Sequence, residues 1–239
     1  MFKINNKAIV ELDQFVDIDS LMAMKPYMDY AVVKSSKSAG PTRYLNSQLL
    51  KATYPGVSDV ITHSYPYDFI QDLKDTDQYA SWLSYTEDIV CGQRSVQIVS
   101  PEDWYKKHLS KHTTATDNKQ YWTAFIMWLE AQDIFAEYGR IVVFLNEPGG
   151  TTPIHYDSLD RTRLEEFIWI SLDSRKQMFV YDLETEEKHY VKTCIGTFDT
   201  SNYHGADASN FPSWSLRVDG VFSDKFLSKS GLTQHFRPN

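Results

Sequence analysis

Four polar residues in the last third of the chain offer a specific chemistry: His155, Asp157, His204 and Arg217. The first two stand in Pro153-Ile154-His155-Tyr156-Asp157, just after a Pro-Gly-Gly turn. The third stands in Asn202-Tyr203-His204-Gly205-Ala206 and the fourth in Ser215-Leu216-Arg217-Val218-Asp219. Two imidazoles and one carboxylate can hold a divalent iron on one face and leave three coordination positions open for substrate and O₂ chemistry. The planar guanidinium of Arg217 could take a carboxylate through two parallel hydrogen bonds, as a dicarboxylate co-substrate requires.

Spacing ties the first pair together. On extended backbone, side chains at i and i+2 point to the same face, so one strand end can present both His155 and Asp157 to one metal. His204 follows His155 by 49 residues, room for several strands before the chain returns. Arg217 follows His204 by 13 residues. On the strand expected there, Ser215, Arg217 and Asp219 share a face, opposite Leu216 and Val218.

The elements around these residues read as strands. Arg140 to Leu145 is a β-branched and aromatic run ended by Glu147-Pro148-Gly149-Gly150. His155 to Asp157 is short, and Glu166 to Leu172 is apolar on consecutive positions, as for a strand covered on both faces. Lys176 to Leu183 and Lys188 to Cys194 flank the acidic turn Glu184-Thr185-Glu186-Glu187 as a hairpin. Gly196 to Thr200 leads to His204, and Trp214 to Phe222 closes the series. Strands at this spacing, with turn chemistry between them, predict a β-sandwich or barrel.

Residues 1–139 read as a mixed α/β elaboration within the same single domain. Ala8 to Phe15, Tyr30 to Lys34 and Ser95 to Val99 are expected strands, and Tyr44 to Ala52 and Tyr67 to Leu73 short helices. The strongest helical pattern runs from Lys119 to Tyr138. There Tyr121, Phe125, Trp128 and Phe135 recur at helical spacing, Trp122, Ile126 and Leu129 widen the stripe, and Gly139 is a stop signal. Residues 140–226 are the expected barrel core and 227–239 a C-terminal tail.

In order and spacing, His-x-Asp, a distal His and an Arg on the last core strand resemble the Fe(II)/2-oxoglutarate-dependent oxygenase superfamily, over roughly residues 140–226. The resemblance implies a mainly β fold with flanking helices, a double-stranded β-helix of the jelly-roll or cupin-like kind. It implies that His155, Asp157 and His204 bind Fe(II), that Arg217 with Ser215 anchors the distal carboxylate of 2-oxoglutarate, and that O₂ is the oxidant. One branch, Jumonji-type and asparaginyl-hydroxylase-like, places a Lys on the fourth core strand instead. Lys176 lies early for that role, and the arginine arrangement fits the other large branch. Superfamily halogenases lack the carboxylate that Asp157 provides, so hydroxylation is the expected oxidation.

Asn146, Trp169, Asn202 and Asp219 are candidates for orienting the ligands. Tyr156, Arg161, Arg163 and Trp169 are candidates for the substrate rim, the arginines for an anionic group. The alternative reading has satisfied core histidines and Arg217 in a buried ion pair with Asp219 or Asp157. His108 and His112 have helical i, i+4 spacing but no evident third ligand, and His63, His189 and His235 stand alone.

Composition sets the outer bounds. A net charge of −8 argues against a general nucleic-acid binder, since no basic surplus exists to neutralise phosphates. The chain carries no long apolar run of the kind that spans a membrane or opens a secreted precursor. Its two cysteines, Cys91 and Cys194, read as thiols rather than a disulfide framework, so a reducing cytoplasm is expected. No Gly-x-Ser-x-Gly nucleophile elbow and no Gly-rich phosphate loop occurs. The expected substrate is an amino acid, a peptide or a small metabolite. The rivals are a protein or nucleic-acid hydroxylase of the same superfamily, and a metal-binding cupin-like module without turnover.

Overall fold

The computed structural model describes residue 4 and residues 7–41, 93–99, 118–157, 166–173 and 175–236. The strands are β1 (Val10–Glu11), β2 (Gly40–Pro41), β3 (Gln93–Val99), β4 (Phe135–Asn146), β5 (Thr152–His155), β6 (Phe167–Ile170), β7 (Met178–Asp182), β8 (Glu187–Tyr190), β9 (Ile195–Thr197), β10 (His204–Ala206) and β11 (Ser213–Phe222). The helices are α1 (Ile18–Ala23), α2 (Lys25–Ser35), α3 (Thr123–Ala131), α4 (Asp224–Ser230) and α5 (Thr233–Phe236).

Two antiparallel sheets form the barrel. One has seven strands in the order β1-β9-β6-β11-β4-β3-β2, the other four in the order β5-β10-β7-β8. From β4 onward, the chain alternates between the sheets in the order of a double-stranded β-helix: β4, β6, β9 and β11 in the larger, β5, β7, β8 and β10 in the smaller. This is the expected jelly-roll architecture.

Alternation along the strands of the larger sheet separates two interiors. Ile141, Val143, Ile168, Ile170, Leu216 and Val218 face outward into the main apolar core, with Trp122, Phe125, Trp128 and Leu129 of the α3 region and Phe226 and Leu227 of α4. Phe167, Trp169, Met178, Val180 and Phe198 form a second cluster inside the barrel. The helices therefore buttress one face of the larger sheet, and the barrel lumen is left to polar chemistry and this smaller apolar group. Among the described residues, no helix is long and apolar enough to cross a membrane.

Several local expectations give way to the structure. The helix expected over Lys119 to Tyr138 is a 3-10 turn at Lys119–Trp122 followed by α3, and it ends at Ala131. Asp133 adopts a left-handed φ of 54°, and β4 has begun by Phe135. Phe135 belongs to the strand, its ring stacked on Phe222 at 5.2 Å. The strand expected at Tyr30 to Lys34 is part of α2, which buries Met28, Ala31, Val32 and Ser35 at helical spacing and starts with Pro26 in its first turn. Of Ala8 to Phe15, only Val10–Glu11 is extended.

The segment expected as a tail supplies Leu227, Leu232 and Phe236 to the core. Ser223 caps α4 by accepting from the Phe226 N–H at 3.0 Å, and Gly231 ends it with φ 71°. The N-terminal segment is stitched to the barrel by Asp13, which accepts from the N–H groups of Cys194 and Ile195. Strands from before residue 140 extend the larger sheet on both sides. The helices expected at Tyr44 to Ala52 and Tyr67 to Leu73, the pair His108 and His112, and His63 and Cys91 lie outside the described residues.

Gly220 tests the outer core. The β11–β4 register slips between Val218 and Gly220, and a Cβ built on Gly220 would lie 2.3 Å from Phe135 Cδ1. The Phe135 ring occupies the space that a side chain at position 220 would need. Gly220→Ala is expected to destabilise the fold by about 1–3 kcal/mol through overpacking. Chemical denaturation measures this, and an unchanged midpoint would show that the ring relocates freely.

Candidate metal centre

Strand pairing brings the first three residues together. β10 lies between β5 and β7, with His204 directly opposite His155 on one side and Val180 on the other. β5 ends at His155, and Asp157 follows in the bend, its N–H donating to the Thr200 carbonyl at 3.0 Å. The His155 and His204 ring centroids are 4.3 Å apart. Asp157 Oδ1 lies 3.4 Å from His155 Nε2 and 3.7 Å from His204 Nε2. Ligand atoms of His155, Asp157 and His204 all fall within 4.8 Å of one another. Both imidazoles are buried.

This donor set fits a divalent transition metal. His204 Nδ1 is hydrogen-bonded to the Asn202 carbonyl at 2.9 Å, so Nδ1 carries the proton and Nε2 offers its lone pair towards Asp157. Burial and the neighbouring His155 push the His204 imidazolium down to about 4, against the opposing pull of Asp157 and the Asn202 carbonyl. His204 is thus neutral, the form that binds metal, over the whole neutral range. Burial disfavours the charge on Asp157, but His204, Arg217 and His155 more than offset it and hold its carboxyl well below the usual range.

The second oxygen of Asp157 faces away from the imidazoles. Arg217 Nη1 donates to Asp157 Oδ2, and Arg217 Nε donates to Asp219 Oδ1 at 2.7 Å. Arg140 Nε donates to the other Asp219 oxygen at 2.6 Å. Asp157, Arg217, Asp219 and Arg140 therefore form a line of alternating charge from the ligand cluster across β11 to β4. Burial opposes the charge on Asp219, and Arg140 and Arg217 overcome it, lowering its pKa. The guanidinium of Arg217 also lies over the Phe167 ring, 4.5 Å from its centroid. The ion pairs of the alternative reading are both present, and they coexist with the ligand cluster.

One cation that the sequence reading set aside enters the lumen. Lys176 precedes β7, yet its Nζ reaches 2.9 Å from Ser215 Oγ across the barrel, 5.6 Å from the Phe144 ring centroid. Both Lys176 and Ser215 are buried. Strand direction explains the placement. Met178 is level with Ala206 and Thr152, at the end of β10 and β5 remote from the metal ligands, and Lys176 lies beyond that level. Ser213 and Asn146, opposite each other on β11 and β4, belong to the same inner end, as does Thr152, which donates to Gln93. Asn146 Oδ1 and Ser213 Oγ are buried and have no hydrogen-bond partner among the described residues. The signal was present in the sequence: a lone Lys before an apolar strand, on a barrel whose opposite strand carries Ser213 and Ser215.

The other candidates divide. Trp169 is buried in register with Arg217, inside the barrel. Tyr156 is buried edge-on to Tyr203, with ring centroids 5.3 Å apart. Asn202 acts through its backbone carbonyl on His204, and Asn146 belongs to the inner end. Arg161 and Arg163 lie outside the described residues. His189 is on β8 and His235 on α5, away from the ligand cluster.

No family model matches the chain, and no curated protein matches it by sequence. Solved structures to which it is similar include an oxidoreductase of the 2OG-Fe(II) oxygenase family from Burkholderia pseudomallei, at 10% identity and TM-score 0.41, covering 64% of this chain and 88% of that one. A prolyl-4-hydroxylase from Pseudomonas putida is similar at 12% identity and TM-score 0.35, over 66% of this chain and 87% of the other. A cupin protein from Desulfovibrio desulfuricans is similar at 16% identity and TM-score 0.26, over 37% and 73%.

The relay makes a prediction that needs no turnover. Asp219→Asn removes the charge that holds Arg217 from behind, so Arg217 should grip Asp157 less regularly. Zn(II) or Co(II) affinity is expected to fall about tenfold, the lower end of outer-contact effects at metal sites. Competition with a chromophoric chelator measures it, and unchanged affinity would show that Arg217 and Asp157 need no support from Asp219.

Proposed function

We propose that this protein is a non-haem Fe(II)/2-oxoglutarate-dependent dioxygenase that hydroxylates an amino acid, a peptide or another small metabolite. The observation that carries the reading is the convergence of His155, Asp157 and His204 at one end of a jelly-roll lumen. Two imidazoles and one carboxylate leave three positions of a six-coordinate metal open, enough for a chelating 2-oxoacid and O₂. When bound, iron and 2-oxoglutarate supply oxidative decarboxylation to succinate and CO₂, with one oxygen atom going to a substrate C–H bond.

The chain's own residues do the rest. His155, Asp157 and His204 are the proposed iron ligands. Asp157 would offer Oδ1 to the metal while Arg217 holds Oδ2, which fixes the carboxylate as a one-oxygen ligand. Phe167, Trp169, Val180 and Phe198 line the lumen with apolar surface and limit water. Tyr156 and Trp169 would shape the wall nearest the substrate, and Arg161 and Arg163 remain the proposed contacts for an anionic substrate group. A reducing cytoplasm, which keeps iron ferrous and Cys194 a thiol, is the proposed setting.

Two cations compete for the far carboxylate of the co-substrate. Arg217, the expected anchor, is already engaged by two carboxylates, Asp157 and Asp219, whose charges offset its own. Lys176 has only the neutral Ser215 hydroxyl on its Nζ, and it sits at the inner end of the lumen. We therefore assign the anchor to Lys176 with Ser215, and give Arg217 the task of holding Asp157.

Incubation with Fe(II), 2-oxoglutarate and ascorbate is expected to yield succinate even without substrate. Its absence from folded, metal-loaded protein would remove the oxygenase reading and leave the metal-binding module. His155→Ala and Asp157→Ala are expected to abolish succinate formation. Lys176→Met should raise the 2-oxoglutarate concentration for half-maximal rate at least tenfold, the scale of about 1.4 kcal/mol and within that of a lost charge-assisted hydrogen bond. The effect of Arg217→Lys on that concentration is expected to be smaller. The reverse ranking would return the anchor to Arg217.

A further inference from the structure

We infer that the inner end of the barrel is a proton-coupled carboxylate site, in which Lys176 becomes charged as a carboxylate group is seated on it and on Ser215. The inference rests on the reading of 2-oxoglutarate as co-substrate, and it adds what that binding must do to a proton.

The geometry comes first. Lys176 is buried, and the one hydrogen-bond partner of its Nζ among the described residues is a neutral hydroxyl. Among the described residues, the titratable groups of the surrounding elements are committed elsewhere. On its own segment, Asp173 is paired with Arg175, whose Nε lies 2.7 Å from it, with Lys25 and Asp29 of α2 beyond. On β11, Arg217 and Asp219 belong to the relay that ends at Asp157 and Arg140. Asp207, after β10, holds Lys188 and Tyr190. From β4, the group facing Lys176 is the Phe144 ring, which carries no charge. Level with the inner end, β5 and β10 offer Thr152 and Ala206, neither titratable.

An ammonium ion buried without a counter-charge is costly, and the group answers by losing its proton. Burial accordingly brings Lys176 down to about 7. A carboxylate placed within hydrogen-bond reach reverses this, because it supplies the missing charge in a low-dielectric pocket. Ser213 Oγ, buried and unpartnered at the same end, leaves a hydroxyl donor for the incoming carboxylate. The sign follows directly. Above pH 7 the free site is mostly neutral and the occupied site charged, so binding takes up a proton. Below pH 7 the lysine is already charged and little uptake remains. The site therefore favours a carboxylate over its neutral amide, and it weakens as pH rises.

Isothermal titration of 2-oxoglutarate into Mn(II)-loaded protein under anaerobic conditions, in buffers of different ionisation enthalpy, counts these protons. The expected result is uptake approaching one proton per ligand at pH 8.5, falling towards zero at pH 6, with affinity dropping roughly tenfold per pH unit above 7. In Lys176→Met the uptake should vanish and binding weaken. Ser215→Ala should weaken binding and keep the uptake. Wild-type binding with no uptake at pH 8.5, or equal uptake in Lys176→Met, overturns the inference. Glutarate separates this inference from the co-substrate reading: if glutarate binds with proton uptake and 2-oxoglutarate does not bind, the carboxylate site stands and the oxygenase reading falls. Binding of neither overturns both. Ligand-free Lys176→Met should also melt above wild type at pH 7 by a margin that shrinks as pH rises and is lost above the ordinary lysine value of 10.5, where the lysine is neutral folded or unfolded. No such margin at any pH would show that the buried lysine carries no unpaired charge.

Discussion

The structure turns on one carboxylate that must face two ways. Asp157 presents Oδ1 to two imidazoles and Oδ2 to a guanidinium. A lone buried carboxylate would protonate, and a protonated carboxyl is a poor metal ligand. Arg217 keeps the charge in place while leaving the other oxygen available. Arg217 would itself be a costly buried charge, and Asp219 answers it. Asp219 is answered in turn by Arg140, which is partly exposed and can meet solvent. Two carboxylates and two guanidiniums cancel, so this line of four carries a charged metal ligand at no net charge. Removing one member would leave the next uncompensated, the condition under which a buried ion pair becomes strongly destabilising.

The fold is what allows such a line to exist. Arg217 and Asp219 share one face of β11 while Leu216 and Val218 occupy the other, buried in the outer core. Helices α3 and α4 pack against that outer core, so a single strand is gripped by apolar contacts behind and carries charges in front. β10 completes the arrangement by lying between β5 and β7, which sets His204 opposite His155 without any long loop having to place it. The Asn202 carbonyl then orients the imidazole. Rigid elements position three of the four polar residues; Asp157, in the bend after β5, is fixed by its backbone bond to Thr200 and by its ion pair.

Much of this was legible because period-two alternation reports the face of a strand. His155 and Asp157, and Ser215, Arg217 and Asp219, could be grouped from spacing alone. What misled was periodicity carried across a turn. The aromatic stripe from Tyr121 to Phe135 holds helical spacing, yet the backbone leaves the helix after Ala131 and passes through a left-handed Asp133. Phe135 keeps the pattern only by coincidence of number. At Tyr30 to Lys34 a β-branched, aromatic composition suggested a strand, whereas burial of Met28, Ala31, Val32 and Ser35 shows that the inner face was helical. Lys176 begins the strand expected from Lys176 to Leu183 and stands early there for a co-substrate anchor; the observed strand starts later still, at Met178. A lysine side chain spans several ångströms, and antiparallel register puts the start of β7 at the inner end of the lumen, so position before the strand was no obstacle to reaching Ser215.

Lys176 also shows why stability and binding pull against each other in this barrel. The four charges of the relay already cancel, so among the described residues of the lumen a charged Lys176 is an unbalanced member. Folding alone would favour an apolar residue of similar length there, as it does for many buried ions. A carboxylate ligand changes the balance, since it brings the opposite charge to a pocket from which water is excluded and where hydrogen bonds to ions are strong. The residue that weakens the empty protein is the one with most to gain when the site fills. The same logic covers the unpartnered Ser213 hydroxyl: a donor left unsatisfied in the empty fold is a standing cost, and a carboxylate that accepts from it removes that cost.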